Sequence, residues 1–192
     1  MYKKIEIGNN NLILDIMKNS ATIKIFLLAF GLFTGLANAQ AITGKSVKIS
    51  VDGTSPMHDW TMSSNAGTFS GTVAGNTITN VKFVMPAKNL KSTKGKMMDN
   101  KAYDALQASK HPNITFTATS MNIGKGYVSG KMTIAGVTKN ASIPVTVVKN
   151  GASYTITGTE KMNLSEFGME RPGFMGVKTG DAITVTVNIT AN

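Results

Sequence analysis

Residues 182–190 read AITVTVNIT. Apolar side chains stand at Ile183, Val185, Val187 and Ile189, with Thr184, Thr186 and Asn188 between them. A strict period of two, rich in β-branched residues, describes a strand with one face on a core and the other in water. Such a strand calls for antiparallel neighbours that alternate in the same way, and the chain supplies them. Val47, Ile49 and Val51 alternate with polar residues, and Ile114, Phe116 and Ala118 alternate with Thr115, Thr117 and Thr119. Turn-forming residues recur at short intervals, at Asp52-Gly53, Gly75-Asn76, Gly124-Lys125-Gly126, Asn150-Gly151 and Gly180-Asp181, where small residues tolerate positive φ. The pattern predicts an all-β antiparallel domain of eight or nine strands. They fall near 44–51, 57–63, 67–74, 77–86, 113–121, 127–135, 141–149, 152–162 and 182–190, and the second and third read as one interrupted strand.

One segment departs from this rhythm. Residues 97–112, MMDNKAYDALQASKHP, place Ala102, Tyr103 and Leu106 on one helical face. The reading is a short helix between two strands, capped by Asp99, stapled by Met98 and Tyr103, and stopped by Pro112. No composition shift or internal repeat marks a second domain.

The first 39 residues read as a secretory signal and not as part of the fold. Lys18 and Lys24 precede the apolar run IFLLAFGLFTGL, and Ala37-Asn38-Ala39 supplies a small-x-small cleavage pattern before Gln40. The run is too short to span a bilayer comfortably. Glu6 and Asp15 lie upstream of Met17. Acidic residues are unusual there, so translation is expected to start at Met17. The domain is then 40–192, periplasmic or secreted, with no integral membrane segment once the signal is cleaved. The whole chain carries a formal charge of +10. A basic balance points towards nucleic acid or anionic lipid, and export argues against nucleic acid.

Composition removes many kinds of chemistry. There is no cysteine, hence no disulfide, thiolate metal site or cysteine nucleophile. No G-x-S-x-G, P-loop or G-x-G-x-x-G occurs. The two histidines, His58 and His111, lack partners at metal-ligand spacing. No catalytic residue, metal or cofactor is assigned. Residues 54–62, TSPMHDWTM, hold the single tryptophan. Alternation puts His58 and Trp60 on one side and Asp59 on the other.

Four pieces of the chain together carry a resemblance. They are HDW at 58–60, MMDNKAYDALQASKHPNITF at 97–116, VSGKMTIAGVTKNASIPV at 128–145, and LSEFGM at 164–169 ahead of GDAITVTVNI. In these the chain resembles the YceI-like family of secreted lipid-binding proteins, across residues 40–192. The resemblance implies an eight-stranded antiparallel lipocalin-like barrel with a short helix, whose lumen holds a polyisoprenoid, an isoprenoid quinone or a fatty-acyl-like lipid. A homodimer is also among the expectations.

A barrel of eight strands is just wide enough to fill with side chains or to hold one slim ligand. On that frame the candidate lumen residues are Trp60, Phe69, Phe83, Met85, Phe116 and Ala118 from the first half of the domain. Gly130, Met132, Tyr154, Ile156, Gly158, Met162 and Phe167 come from the second half. Ala118, Gly130 and Gly158 remove volume from otherwise bulky faces, which describes a cavity or a set of backbone kinks equally well. Candidate contacts for a polar head are His58, Lys88, Lys91, Lys94 and Arg171, with Lys96 and Lys101 crowding the same lysine-rich stretch. Two other functions stay open at this point. One is a structural or stress-related β-domain with a filled barrel; the other is a lipid-acting enzyme using His58.

Overall fold

The computed structural model describes residues 39–192; the expected signal segment lies outside the described residues apart from Ala39. The strands are β1 (Gln40–Gly53), β2 (Trp60–Ser64), β3 (Thr68–Ala74), β4 (Thr77–Pro86), β5 (Lys91–Ser92), β6 (Asn113–Asn122), β7 (Gly124–Ile134), β8 (Val137–Asn150), β9 (Ser153–Asn163), β10 (Gly173–Phe174), β11 (Val177–Lys178) and β12 (Ala182–Ala191). Helix α1 (Lys96–Ala105) lies between β5 and β6, and single 3₁₀ turns cover Ala87–Asn89 and Leu164–Phe167.

The main sheet closes on itself into an eight-stranded antiparallel barrel. Its order is β12, β9, β8, β7, β6, β4, β3, β1, and β1 pairs back onto β12. The AITVTVNIT strand is the seam. Val47, Ile49 and Val51 of β1 face Ile189, Val187 and Val185 across it, so apolar phases meet on the inside. Its other edge pairs with β9 over the whole strand, Ala182↔Asn163 to Ala191↔Tyr154.

Strands β2 and β3 form one interrupted strand, as the sequence suggests. The start of β1 pairs with β3 and its end pairs with β2. Ser64 sits at the break. Its side-chain oxygen accepts the Ala66 N–H at 3.1 Å, which offers the backbone a local turn in place of the ladder. Register shifts at Gly44/Ser46 and Ser70/Thr72 add the bends a small closed barrel needs. The pairing of β8 with β9 ends at Val145↔Gly158. The next residue of β8 is Pro144, which has no N–H to offer a ladder.

Three readings of local structure are corrected. Asp99 does not cap the helix: Gly95, at φ 92°, occupies that position. The Asp99 carboxylate is buried, accepts the Ser92 N–H at 2.7 Å and pairs with Lys91 at 3.6 Å, fastening β5 to the helix. Residues 57–59 are loop rather than strand, since β2 starts at Trp60. Gly53 is no turn residue but the last residue of β1, and the Trp60 ring occupies the space of its missing side chain. A Cβ there would lie 2.2 Å from the indole.

Candidate functional site

The register sorts the barrel into two ends. At one end Gln40, Val73, Ile78 and Met121 lie level through successive strand pairs, and Tyr154 pairs with Ala191. This end is solid, and Ile42, Ile78, Val147 and Tyr154 are its most completely buried large side chains. Tyr154 therefore plugs the barrel floor and does not face open lumen, and the Lys149 ammonium stands 5.9 Å from its ring.

Above the plug lies a cavity of ≈ 480 Å³ with almost wholly apolar walls, running to the opposite end. Among the residues expected in the lumen, Trp60, Phe69, Phe83, Met85 and Phe116 line it. So do Met132, Ile156, Gly158, Met162 and Phe167. Ala118, Gly130 and Tyr154 do not. Gly130 answers to backbone approach: a Cβ on it would meet the Thr117 carbonyl oxygen at 2.3 Å and the Phe116 ring at 2.8 Å. A Cβ on Gly158 would meet the Val145 side chain at 3.3 Å, then the Ile143 side chain and the Pro144 carbonyl oxygen at 3.6 Å. The alternation rule assigns both glycines to the inner face, but only Gly158 lines the cavity.

Three segments roof the open end. The helix contributes Met97, Met98, Ala102 and Ala105; the loop after β1 contributes Ser55, Met57 and His58; and the stretch around β10 and β11 contributes Met169, Pro172 and Val177. The loop is braced by Ser55, whose hydroxyl donates to the His58 carbonyl at 2.7 Å, and by the Trp60 indole N–H, which donates to the Thr54 carbonyl at 3.1 Å. The candidate lumen residues read from the sequence include none from the helix. The apolar spacing of Met98, Ala102 and Ala105, with Met97 beside them, was the available signal.

The lysine cluster is dispersed. Lys94 and Lys101 reach the cavity wall, whereas Lys88 and Lys91 do not. Lys91 is engaged elsewhere: its ammonium donates to the Tyr103 hydroxyl at 2.6 Å and stands 5.1 Å from the same ring. That hydrogen bond, with Asp99 adding to it, raises the Lys91 pKa above its ordinary 10.5. The Lys101 ammonium donates to the Gly173 carbonyl, tying the helix to the hairpin of β10 and β11. Arg171 also stands off the cavity; its charge helps hold the Asp181 carboxyl below its usual value, behind the larger effect of the Ser165 hydrogen bonds.

Glu160 lines the cavity two positions beyond Gly158. Burial in the apolar wall, followed by repulsion from Glu166, raises its pKa above the ordinary 4.5. Alternation along β9 puts Glu160 in phase with Ile156 and Met162. Among the described residues no group of three or more carboxylate or imidazole side chains gathers to hold a metal ion.

Fold and site together define a closed antiparallel β-barrel with one plugged end and an apolar chamber under a partial lid. The YceI-like domain model matches residues 54–191, and the chain belongs to that family. Similar solved structures include BcnA of Burkholderia cenocepacia, with a TM-score of 0.65 at 19% identity, over 76% of this chain and 96% of that one. A polyisoprenoid binding domain from Saccharophagus degradans, implicated in plant cell wall breakdown, gives a TM-score of 0.64 at 11% identity, over 79% and 97%. A comparison with curated protein sequences finds no match. No helix among the described residues is long and apolar enough to cross a membrane.

Proposed function

We propose that this protein binds a long-chain amphiphile, a polyisoprenoid or a lipid tail of similar slimness, inside the barrel. The observation that carries the reading is the cavity of ≈ 480 Å³, walled by Phe, Met, Ile and Val side chains. Each methylene-sized group moved from water into such a wall contributes about 0.8 kcal/mol. One five-carbon isoprenoid unit then supplies roughly 3–4 kcal/mol before ordering costs. A few units bind tightly with no polar contact at all. The polyisoprenoid-binding neighbour supports the same reading.

The rim suits loading from a lipid surface. Met57, Met97, Met175 and Val177 are exposed apolar residues in the three roof segments, and clustered exposed apolar residues mark a contact surface. With residues 1–39 acting as a secretory signal, the site of action is the periplasm or the exterior. Binding without turnover fits the site better than catalysis through His58, because Ser55 bonds to the His58 backbone and so is not set up as a nucleophile with an imidazole base.

Organic extraction of the purified protein, followed by mass spectrometry, tests the proposal. About one equivalent of a long-chain lipid per barrel is expected. A lipid-free extract, together with failure to take up added polyprenol, overturns it.

A further inference from the structure

Large apolar side chains that stand exposed are unevenly placed on this protein. Among the described residues they are Met57, Met97, Tyr127, Val148, Met175 and Val177. Tyr127 and Val148 belong to β7 and β8. The other four stand on the segments that roof the chamber, at 54–59, 94–98 and 173–178. These segments are tied together. Lys101 of α1 donates to the Gly173 carbonyl, and the Gly180 N–H donates to the Thr54 carbonyl at 2.7 Å. The apolar tips therefore ring one opening.

The hairpin of β10 and β11 carries the most specific sign. Phe174 and Val177 pair across a two-residue turn, and Met175 and Gly176 both take positive φ, 49° and 81°. A turn of this hand is ordinarily built from Asn, Asp or Gly, which reach that backbone at little cost and suit water. Here methionine holds the first place and is 87% exposed. An unbranched, flexible apolar side chain at a hairpin apex adapts to a fluid apolar phase and gains nothing from that position in water. Charge surrounds these tips. Lys94 and Lys96 stand just ahead of Met97, Lys178 follows Val177, and all three are exposed. Asp59 is the one carboxylate on the same three segments that is exposed.

Resting on the lumen function proposed above, we infer that the mouth of the barrel docks on an anionic bilayer. The Met175 apex and Met57 enter the acyl boundary, and Lys94, Lys96 and Lys178 lie among the headgroups. The charge is complementary, and the geometry favours a fluid partner. Separate tips around a hole do not make the continuous apolar centre of a stable protein interface. A bilayer closes over each tip independently. Docked in this way, the barrel stands with its floor turned away from the membrane. A lipid tail then passes between the tips into the chamber without crossing water.

The exported protein is sedimented with vesicles of phosphatidylcholine, alone or mixed with phosphatidylglycerol. At low salt it is expected to partition at least about tenfold more strongly onto the mixed vesicles, and high salt should remove the difference. Lys94→Gln, Lys96→Gln and Lys178→Gln together should erase the preference for phosphatidylglycerol. Met57→Ser with Met175→Ser should lower partitioning about tenfold, while Tyr127→Ser with Val148→Ser leaves it unchanged. The chain has no cysteine, so Met175→Cys or Val148→Cys carries a single polarity-sensitive dye. Emission from the dye at 175 should shift to the blue on mixed vesicles, and emission from the dye at 148 should not. Absence of vesicle binding, binding indifferent to both rim sets, or equal shifts at the two dyes overturns the docking surface. A dimer that Met175→Ser dissolves, in a protein that ignores vesicles, gives the face to a second copy and overturns it as well. Uptake of polyprenol added from solvent reads the lumen function separately. Uptake without vesicle binding removes the docking surface and keeps the lumen function, and vesicle binding without uptake does the reverse.

Discussion

At the floor of the barrel, Ile42, Ile78, Val147 and Tyr154 are almost completely buried. At the mouth, Trp60, Phe83 and Met132 occupy equivalent inward phases of their strands, yet each stays partly exposed around empty space. Both regions obey the same alternation, so alternation does not distinguish them. What differs is side-chain volume against the local bore, and whether chain termini and turns close over the end. The floor is sealed by the reciprocal backbone bonds between Thr43 and Asn192 and by the packed tyrosine. The mouth is roofed by a helix, a loop and a hairpin held largely through side-chain contacts such as Asp99 to Ser92, Lys101 to Gly173 and Trp60 to Thr54. A stable plug and a looser entrance divide stability from function along one barrel axis.

That division is open to direct attack, and the largest effect is expected at the floor. Tyr154→Ala should cost about 3–5 kcal/mol of unfolding free energy, as for other buried aromatics. Trp60→Ala should cost less than half as much, while weakening lipid retention. Urea denaturation of both variants measures this; equal losses would erase the contrast between the ends.

The two wall glycines give the next largest difference. Gly130→Ala forces a methyl onto the Thr117 carbonyl and should destabilise by about 1–3 kcal/mol. Gly158→Ala enters the chamber beside Val145 and should stay within about 1 kcal/mol of the parent. Thermal melts of the pair decide it, and a tolerated Gly130→Ala would mean that its strand can retreat from β6.

The smallest expected effects are in pH dependence, and the two carboxyls have opposite signs. Glu160 has a folded pKa raised above 4.5, so folding favours its neutral form. Its contribution is present below the unfolded value and is lost as pH rises through the folded one. Glu160→Gln should therefore flatten a decline in stability on the alkaline side of 4.5. Asp181 has a folded pKa below its ordinary 3.8, held there first by the Ser165 hydroxyl and then by the Ser165 N–H. Its contribution is present above the unfolded value and is lost as pH falls through the folded one. Asp181→Asn should remove acid sensitivity below pH 3.8 and leave neutral-pH ligand retention unchanged. Melts across the acidic range read both slopes, and a shared sign would contradict these environments.

Much of the architecture was legible from local pattern. Alternation in 44–51, 113–121 and 182–190 found strands that are present, and the interruption between 57–63 and 67–74 was visible as well. The helix was found from its apolar spacing, but its cap was misassigned. Asp99 suits an N-cap by composition, yet here it reaches across to Ser92 and Lys91, a tertiary contact that no window of neighbouring residues contains. Gly53 reads as a turn residue because Asp-Gly usually is one, and only the docking of Trp60 explains it.

The sequence by itself determined the all-β class, the phase of each strand and most of the apolar wall, because period-two patterning is a local consequence of one buried face. It also fixed the absence of thiol chemistry, through composition alone. Only the tertiary structure decided which inward residues are plug and which are lining, since that depends on distance along a closed barrel between strands far apart in the chain. It likewise separated Gly130 from Gly158, withdrew Lys91 from the mouth by bonding it to Tyr103, and brought Glu160 to the chamber wall. Each of these outcomes is a matter of what stands opposite a side chain once the barrel closes, and closure brings together residues whose relation no stretch of sequence records.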